Sequence, residues 1–477
     1  MFYGVSKYST AKVTLINTDG DLDDFGSRNL FNQPCRILKG DEDTDYLNYQ
    51  TVTSGFIGDY TYNHEEIEIE MDDPRKGLTQ PVARNTLNQT DYPYLSGSNV
   101  DAAKPVVFGA CFNVPVICLN EEETTANYNF LLCDDEFFDS DYYISSIANV
   151  YCNGIAVSTY TRSGNILTIA GNYDLGDDTV ADNLDSVVCD ITMTIINGVD
   201  IIKYLMKYYD GKPYVESFWN IFEVDSAQLL SLNTGIYVDD SSEKLADIIS
   251  DVCNDISARF FVNWNGKYTI RLYDNDRLSA AQINDSLWLG TPNIKNNGSE
   301  YLTSCVIKYQ KQIDDDDYAA QYEETGYKET AYNTYKKYNV ETYETNLPDL
   351  ASATEKGQNI MIQSYSIGDI VTRPMIMDDG TNNFGDILDL GDFIVANPEK
   401  RISLDEYGDK KYLYDTTTAN ALRRYEILSL TKKLDDNKLQ LTMRYIGTGD
   451  FGYHFELDYD EEVITDYDND PIIVKGA

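Results

Sequence analysis

The sequence predicts a mainly β protein with a few helices, of the α+β class and divided into several domains. Three observations carry that expectation. Apolar residues alternate with polar ones in many short runs, Asn-Gly and related pairs punctuate those runs, and only a few stretches space their apolar residues as a helix does. The chain has 477 residues, more than one ordinary domain, and usual domain sizes suggest roughly three or four units. Apolar residues make up 42% and aromatic residues 12%, with 39 Tyr against 3 Trp, so a core can be buried. An excess of tyrosine suits half-buried strands and polar contact surfaces.

The opening region, up to about Asn120, alternates most clearly in Glu66-Ile67-Glu68-Ile69-Glu70-Met71. Ile67, Ile69 and Met71 fall on one face, which predicts a half-buried strand with an acidic outer side. Asp72-Asp73-Pro74 ends it, because proline donates no ladder hydrogen bond and restricts its predecessor. Lys104-Pro105-Val106-Val107-Phe108-Gly109 and Phe112-Asn113-Val114-Pro115-Val116-Ile117 are apolar runs broken by Pro and Gly. They predict short strands joined by tight connections. From about Glu121 to Ile196 the pattern stays β. Asn153-Gly154 separates Ala148–Cys152 from Ile155–Val157, the pair that a type I′ hairpin favours because both central residues need positive φ. Ser163-Gly164-Asn165 turns the chain into Ile166-Leu167-Thr168-Ile169.

Val199, Ile202, Leu205, Met206 and Tyr209 then recur at helical spacing, with Gly211 and Pro213 as the stop. A second helix is expected from Leu245, Ile248, Ile249, Val252 and Ile256, with Asp240 as cap and Glu243 completing a capping box. Phe260–Trp264, Asn265-Gly266 and Lys267–Leu272 follow as a hairpin. Between about Tyr318 and Asn346 the chain is dense in Tyr, Glu, Lys and Thr with almost no aliphatic residue, which predicts a long exposed strand pair or loop. A helix is expected over Ala351–Ser364. Strands are expected at Gly391–Val395, Tyr425–Leu430 and Lys438–Arg444, the last two joined through Asp435-Asp436-Asn437. Beyond Gly449 the acidic tail is expected to be partly disordered or wrapped on a neighbour.

Thirty-seven Lys+Arg against 80 Asp+Glu give a formal charge of −43. Such a surface repels phosphate and argues against sequence-independent nucleic-acid binding. Solubility accounts for the charge; a conduit wall to which DNA does not stick is the sharper reading. No run approaches the ~20 apolar residues of a membrane-spanning helix, and the start MFYGVSKYST has neither a long apolar core nor a cleavage site, so secretion and membrane insertion are not expected. The eight cysteines, Cys35, Cys111, Cys118, Cys133, Cys152, Cys189, Cys253 and Cys305, form no CxxC pair or Cys/His cluster and read as reduced, mostly buried thiols.

Two histidines, His64 and His454, stand apart with no ligand or partner at i+3 or i+4. Zinc chemistry of the HExxH kind is missing, and no GxSxG elbow accompanies either histidine. With 80 acidic residues, some carboxylate pair falls at glycosidase distance by chance, so abundance removes the signal. Asp134-Asp135-Glu136-Phe137-Phe138 is explained as well by an exposed acidic loop. No phosphate-cradling glycine motif occurs. Asp19, Asp21 and Asp23, like Asp466, Asp468 and Asp470, have the spacing of the first three ligands of a calcium loop. Both lack the sixth-position Gly and twelfth-position Glu, so solvated turns are the preferred reading. No catalytic, cofactor-binding or metal-ligating residue is assigned.

Three stretches together resemble the hub and tail-tip proteins of long-tailed bacteriophages and related injection machines. They are Ile67–Asn120, with Asp73-Pro74-Arg75 and Asn113-Val114-Pro115; Tyr237–Leu272, a strand, a helix and an Asn-Gly hairpin; and Leu390–Val395 with Tyr425–Leu430 and Lys438–Arg444, which look like closing barrel strands. They cover about half the chain. The resemblance implies a homo-oligomeric hub, a trimer in which each chain supplies two tube-like β-barrel domains plus small α/β modules. It also implies contacts with the tail tube above, spike or fibre proteins below, and a lumen through which DNA passes without specific binding.

The expected division is 1–120, an N-terminal tube-like β domain; 121–196, a β-hairpin module; 197–300, an α/β module with two amphipathic helices; 301–450, a second β-barrel-type domain; and 451–477, the acidic tail. The implied location is the virion tail, after synthesis in the host cytoplasm. The chain is expected not to be an enzyme. A tail-associated hydrolase or carbohydrate-binding protein acting on the host envelope is the alternative, and an acidic adhesin a third, disfavoured by the missing export signal.

Overall fold

The computed structural model describes residues 4–5, 10–24, 28–31, 33–40, 45–46, 49–63, 65–72, 74–123, 125–176, 178–263, 265–273, 279–283, 285–296, 301–364, 369–378, 383–396, 402–404, 410–412, 423–433 and 436–448. They belong to two units, the first Met1–Asn275 with Ser299–Ser366 and the second Asp276–Gly298 with Ile367–Ala477. Residues 301–450 are thus shared between the units, with the change at Ser366. His64, His454, Trp264, the Asp466–Asp470 cluster and the tail beyond Gly449 lie outside the described residues. The fold is mainly β with a few helices, as the alternation and turn pattern predict.

Unit 1 opens with a four-stranded antiparallel sheet in the order Thr10–Ile16, Glu66–Asp72, Gln50–Tyr62, Pro34–Lys39. The acidic strand behaves as predicted: Ile67 and Met71 are buried, Ile69 is half-buried, and Glu66 and Glu70 face solvent. Lys12 on the neighbouring strand meets Glu68 at 2.9 Å, the cross-strand pairing of opposite charges expected on a solvent face.

An eight-stranded sheet runs through the unit 1 core. Its order is Ile155–Ala156, Ile144–Cys152, Val187–Met193, Val106–Pro115, Ser304–Gln312, Asp317–Glu324, with Gly235–Val238 also on Val106–Pro115 and Val340–Glu344 also on Ser304–Gln312. Where separate short strands were expected, Val106–Pro115 is one ten-residue strand. Gly109 and Asn113 bend it with φ of +70° and +48° but do not end it. Ladders to Val187–Met193 and Gly235–Val238 hold it on either side of the bends. Gly109 is obligatory: a Cβ there would lie 1.7 Å from the Thr234 carbonyl oxygen.

The Asn153-Gly154 hairpin forms as read, with φ of +49° and +75° and Cys152 paired to Ile155. The 163–166 turn also forms, closing Tyr160–Ser163 onto Ile166–Ala170 in a four-stranded sheet with Asn127–Leu131 and Ile117–Cys118.

Helix α1, Gly198–Tyr209, starts where Asn197 Oδ1 accepts from the Val199 and Asp200 amides at 3.0 and 3.4 Å, and all five residues of its predicted stripe are buried. Helix α2, Ile221–Leu230, was not expected. Helix α3, Leu245–Asp255, buries Leu245, Ile248, Ile249 and Val252, and Ile256 just after it. Its predicted cap is corrected. Asp240 accepts from the Ser242 amide at 2.7 Å instead, and no side chain caps α3. The Leu245 amide donates to the Gln80 carbonyl at 3.0 Å and the Val82 amide to Glu243 at 3.2 Å. An extended neighbour thus satisfies the groups that a capping box serves.

After α3, Ala258–Val262 and Tyr268–Leu272 pair as predicted, with Gly4–Val5 parallel to the former. Asn265-Gly266 is not a two-residue turn. Pairing resumes at Val262 and Tyr268, and Asn263 Oδ1 closes the longer loop by accepting from the Lys267 amide at 3.0 Å.

The 318–346 region is also corrected. Asp317–Glu324 and Val340–Glu344 each pair with Ser304–Gln312 rather than with each other, and helix α4, Lys328–Tyr335, lies between them in sequence. Helix α5, Leu350–Ser364, appears where expected and buries Ala353, Gly357, Ile360 and Met361.

Unit 2 is built on a six-stranded sheet in the order Ala281–Gln282, Phe393–Ala396, Arg423–Lys433, Lys438–Thr448, Asp369–Ile376, Asn293–Asn296. All three expected strand regions take part. Its core joins Val371, Met375, Ile394, Tyr425, Ile427, Leu441 and Met443 to Trp288 and to Phe384 of the short helix α6, Phe384–Ile387.

Candidate assembly interface

Two of the charged features singled out in the sequence, Asp19–Asp23 and Asp134–Glu136, fall among the described residues and make local contacts. Asp19 accepts from the Asp21 amide at 3.2 Å, while Asn17 Nδ2 and the Tyr62 hydroxyl donate to Asp23 Oδ1 at 2.8 and 3.0 Å. The three aspartates are exposed parts of a turn. Among the described residues no three His, Cys, Asp or Glu side chains gather as a metal site. Asp134 and Glu136 accept from Asn85 at 2.6 and 2.7 Å, and Arg84 meets Glu136 at 3.0 Å.

A cavity of about 370 Å³ opens beside α1, lined by Asp141, Thr194, Asn197, Asp200, Lys203, Lys207 and Tyr214 among others. Its two lysines are paired locally. Lys203 sits 3.1 Å from Asp200, donates to Gln228 at 2.9 Å and lies 4.0 Å above the Tyr214 ring. Lys207 donates to the Tyr208 hydroxyl at 2.7 Å and stands 3.6 Å from Asp139. Tyr204, also on the wall, packs against Tyr142 and Tyr208 with ring centroids 4.4 and 4.3 Å away.

A buried polar cluster joins several segments of unit 1. Asp255, at the end of α3, accepts from Thr234 Oγ1 at 2.7 Å, Asn346 Nδ2 at 3.1 Å and the Asn346 amide at 3.2 Å. Lys356 of α5 donates to the Asn254 carbonyl and, at 3.1 Å, to the Asp255 carbonyl. It supplies the cation that a helix C-terminus favours. Burial lowers the Lys356 pKa to about 8 against the pull of Asp255, and burial raises the Asp255 carboxyl against the opposing effect of Lys356. Four segments of chain meet at these groups, and each polar atom named has a partner.

The surface that stands out is apolar. On α2, Phe222 is 74%, Leu229 86% and Leu230 55% exposed, while only Val224 and Ala227 are buried. Phe222, Ser226 and Leu229 share a helical face at i, i+4 and i+7. The opposite side lies along Tyr268–Leu272, and Glu223 reaches Arg271 at 3.4 Å. The sequence carried a signal for this helix, namely Ile221, Phe222, Val224, Ala227, Leu229 and Leu230 within ten residues. Those residues surround the axis, so the one-sided stripe that marks an amphipathic helix is missing. The tyrosine-rich segment contributes less: Tyr318 and Tyr322 on its first strand are half-buried, and Tyr332 of α4 stacks on the exposed Tyr338 at 4.4 Å.

No protein-family model matches the chain, and no curated protein matches it. Solved structures similar to it include the tail protein from Neisseria meningitidis MC58, at 10% identity and a TM-score of 0.40, covering 92% of this chain and 89% of that one. The 43 kDa tail protein of prophage MuSo2 from Shewanella oneidensis is similar at 9% identity and 0.38, with the same two coverages, 92% and 89%. A chain of the virion of a native gene transfer agent particle is similar at 10% identity and 0.42, over 77% of this chain and 89% of that one.

Proposed function

We propose that this chain is a virion structural protein of a phage tail. In this reading it is a tail-tip or baseplate hub subunit that joins the tail tube to the distal spike or fibre, assembles with copies of itself, and is not an enzyme. The observation that carries the reading is apolar surface left open where sheets and helices end. Ile16 on the edge strand Thr10–Ile16 is 76% exposed, Val13 and Leu15 beside it and Ile37 on the other edge are only half-buried, and α2 turns Phe222 and Leu229 outward. Edge strands and apolar patches of this kind are what subunits of an assembly present to their neighbours.

The formal charge of −43 suits a place on a DNA-ejection path, since a wall of the same sign as phosphate offers no adhesive intermediates. The resemblance in Ile67–Asn120, Tyr237–Leu272 and the 390–444 strands supports the same role. Immunogold labelling of intact particles, with antibody against this chain, tests it: label at the distal end of the tail is expected. Particles that carry none, or purified protein that clears peptidoglycan by itself, sink the reading in favour of an envelope-directed hydrolase.

A further inference from the structure

We propose that Asn153 is a self-modification site: the Gly154 backbone nitrogen expels its side-chain amide, and the isoaspartate that results frees the edge strand Ile155–Ala156. The chemistry is independent of the protein's place in a tail. Glycine has no side chain to hinder such an attack, so each Asn-Gly pair is a candidate. Four occur, at 153–154, 197–198, 265–266 and 297–298, and the last lies outside the described residues.

The structure separates the other three. At 197–198 both reacting groups are held. Asn197 Oδ1 accepts from the Val199 and Asp200 amides, its Nδ2 donates to the Gln228 and Ser231 carbonyls at 3.2 and 3.3 Å, and the Gly198 amide donates to the Leu232 carbonyl at 3.0 Å. At 265–266 the Gly266 amide donates to the Asn263 carbonyl at 2.9 Å. Asn153 and Gly154 are both exposed. Among the described residues neither the Asn153 side chain nor the Gly154 amide has a hydrogen-bond partner. Asn153 also has a φ of +49°. Turns of types I′ and II′ share positive φ at that position, and both close two-residue hairpins. The 153–154 peptide plane can therefore turn toward the side chain while Cys152 stays paired with Ile155.

In the reaction the Gly154 nitrogen bonds to Asn153 Cγ, the Cγ–Nδ2 bond breaks, and ammonia leaves with the proton given up by the Gly154 amide. Water then opens the cyclic imide. Cleavage at Cγ gives aspartate; cleavage at the Asn153 backbone carbonyl carbon gives isoaspartate, with one more carbon in the main chain. That carbon falls inside the turn on which Ile155–Ala156 depends, an exposed strand at the end of its sheet that pairs with Cys152 and Tyr151.

Peptide mass spectrometry of the full chain, held in mildly alkaline buffer and sampled over time, provides the test. Each rate in the folded protein is divided by the rate at the same site in denaturant, which removes the influence of neighbouring sequence. The expected ratio is at least about fivefold higher at Asn153 than at Asn265, the rate equivalent of the hydrogen bond that Gly266 must first give up, and lowest at Asn197. Amide exchange at Ile155 is expected to quicken in the isoaspartate fraction and to stay unchanged in freshly prepared Asn153→Asp, which gains the charge without the extra carbon. A smaller gap, a reversed order of sites, or an isoaspartate fraction that exchanges no faster at Ile155 overturns the inference.

Discussion

All eight cysteines lie in unit 1 and none in unit 2, and seven of the eight are buried. The unit 1 core packs α1, α3 and α5 with its sheets and places thiols such as Cys111, Cys189, Cys253 and Cys305 in it. Unit 2 uses Met375, Met377 and Met443 with Trp288. Both are soft, polarisable fillings for irregular gaps. The difference is that a buried thiol can ionise and a thioether cannot, so the two units respond differently to alkali.

That contrast sets the largest expected effect. Burial pushes the Cys111 and Cys305 thiols up to about 12 and Cys118 to about 11, from an ordinary value of 9.0, and raises Cys133, Cys189 and Cys253 as well. Folded pKa values above unfolded ones mean that the stabilisation is complete below the unfolded pKa and is lost as pH climbs from about 9 toward the folded values. Each thiol costs up to about 1.4 kcal/mol per pH unit across that window. Reduced protein heated at neutral pH and at about pH 10 is expected to lose the Val106–Pro115 and Val187–Met193 strands at a much lower temperature in alkali. The Arg423–Lys433 and Lys438–Thr448 strands shift far less. Fragment mapping after brief proteolysis reads both, and an equal shift in the two units breaks the comparison.

The next effect belongs to the buried pair in unit 1, to which the methionine core of unit 2 is the apolar counterpart. Lys356→Met removes the donor to the Asn254 and Asp255 carbonyls at the end of α3 and the positive charge beside the buried Asp255 carboxylate. A loss of about 3–5 kcal/mol in denaturant unfolding is expected. Adding Asp255→Asn recovers most of it, because a neutral amide no longer needs the lysine. A double variant that loses the sum of the two single effects shows that the groups act independently.

The sequence disclosed elements wherever a local rule set the geometry. Asn153-Gly154 needs positive φ twice and has it. The stripe Val199, Ile202, Leu205, Met206, Tyr209 is one face of a helix and is buried. It misled where tertiary partners replaced local ones. Val106–Pro115 continues through Gly109 because ladders hold it on either side of the bend. α2 hid because its apolar residues surround the axis. That all-round pattern is also the property that leaves Phe222 and Leu229 outside, so the surface least legible in the sequence is the one assigned to assembly. The polar staple was out of reach, since Asp255 and Lys356 are 101 residues apart and neither has a distinctive neighbour.

The two candidate caps provide the smallest and sharpest test of that local-versus-tertiary distinction. Asn197 accepts from two amides at the start of α1, so Asn197→Ala is expected to cost about 1 kcal/mol, the usual scale for losing an N-cap. Asp240 stands before α3 in a sequence that reads as an equally good cap, yet its carboxylate serves Ser242 and the helix begins at Leu245 against the Gln80 carbonyl. Asp240→Ala is therefore expected to leave the melting temperature within experimental scatter of the unsubstituted protein. If instead it lowers stability as much as Asn197→Ala does, Asp240 caps α3 after all, and the extended pairing of residues 243–245 with 80–82 is not what starts that helix.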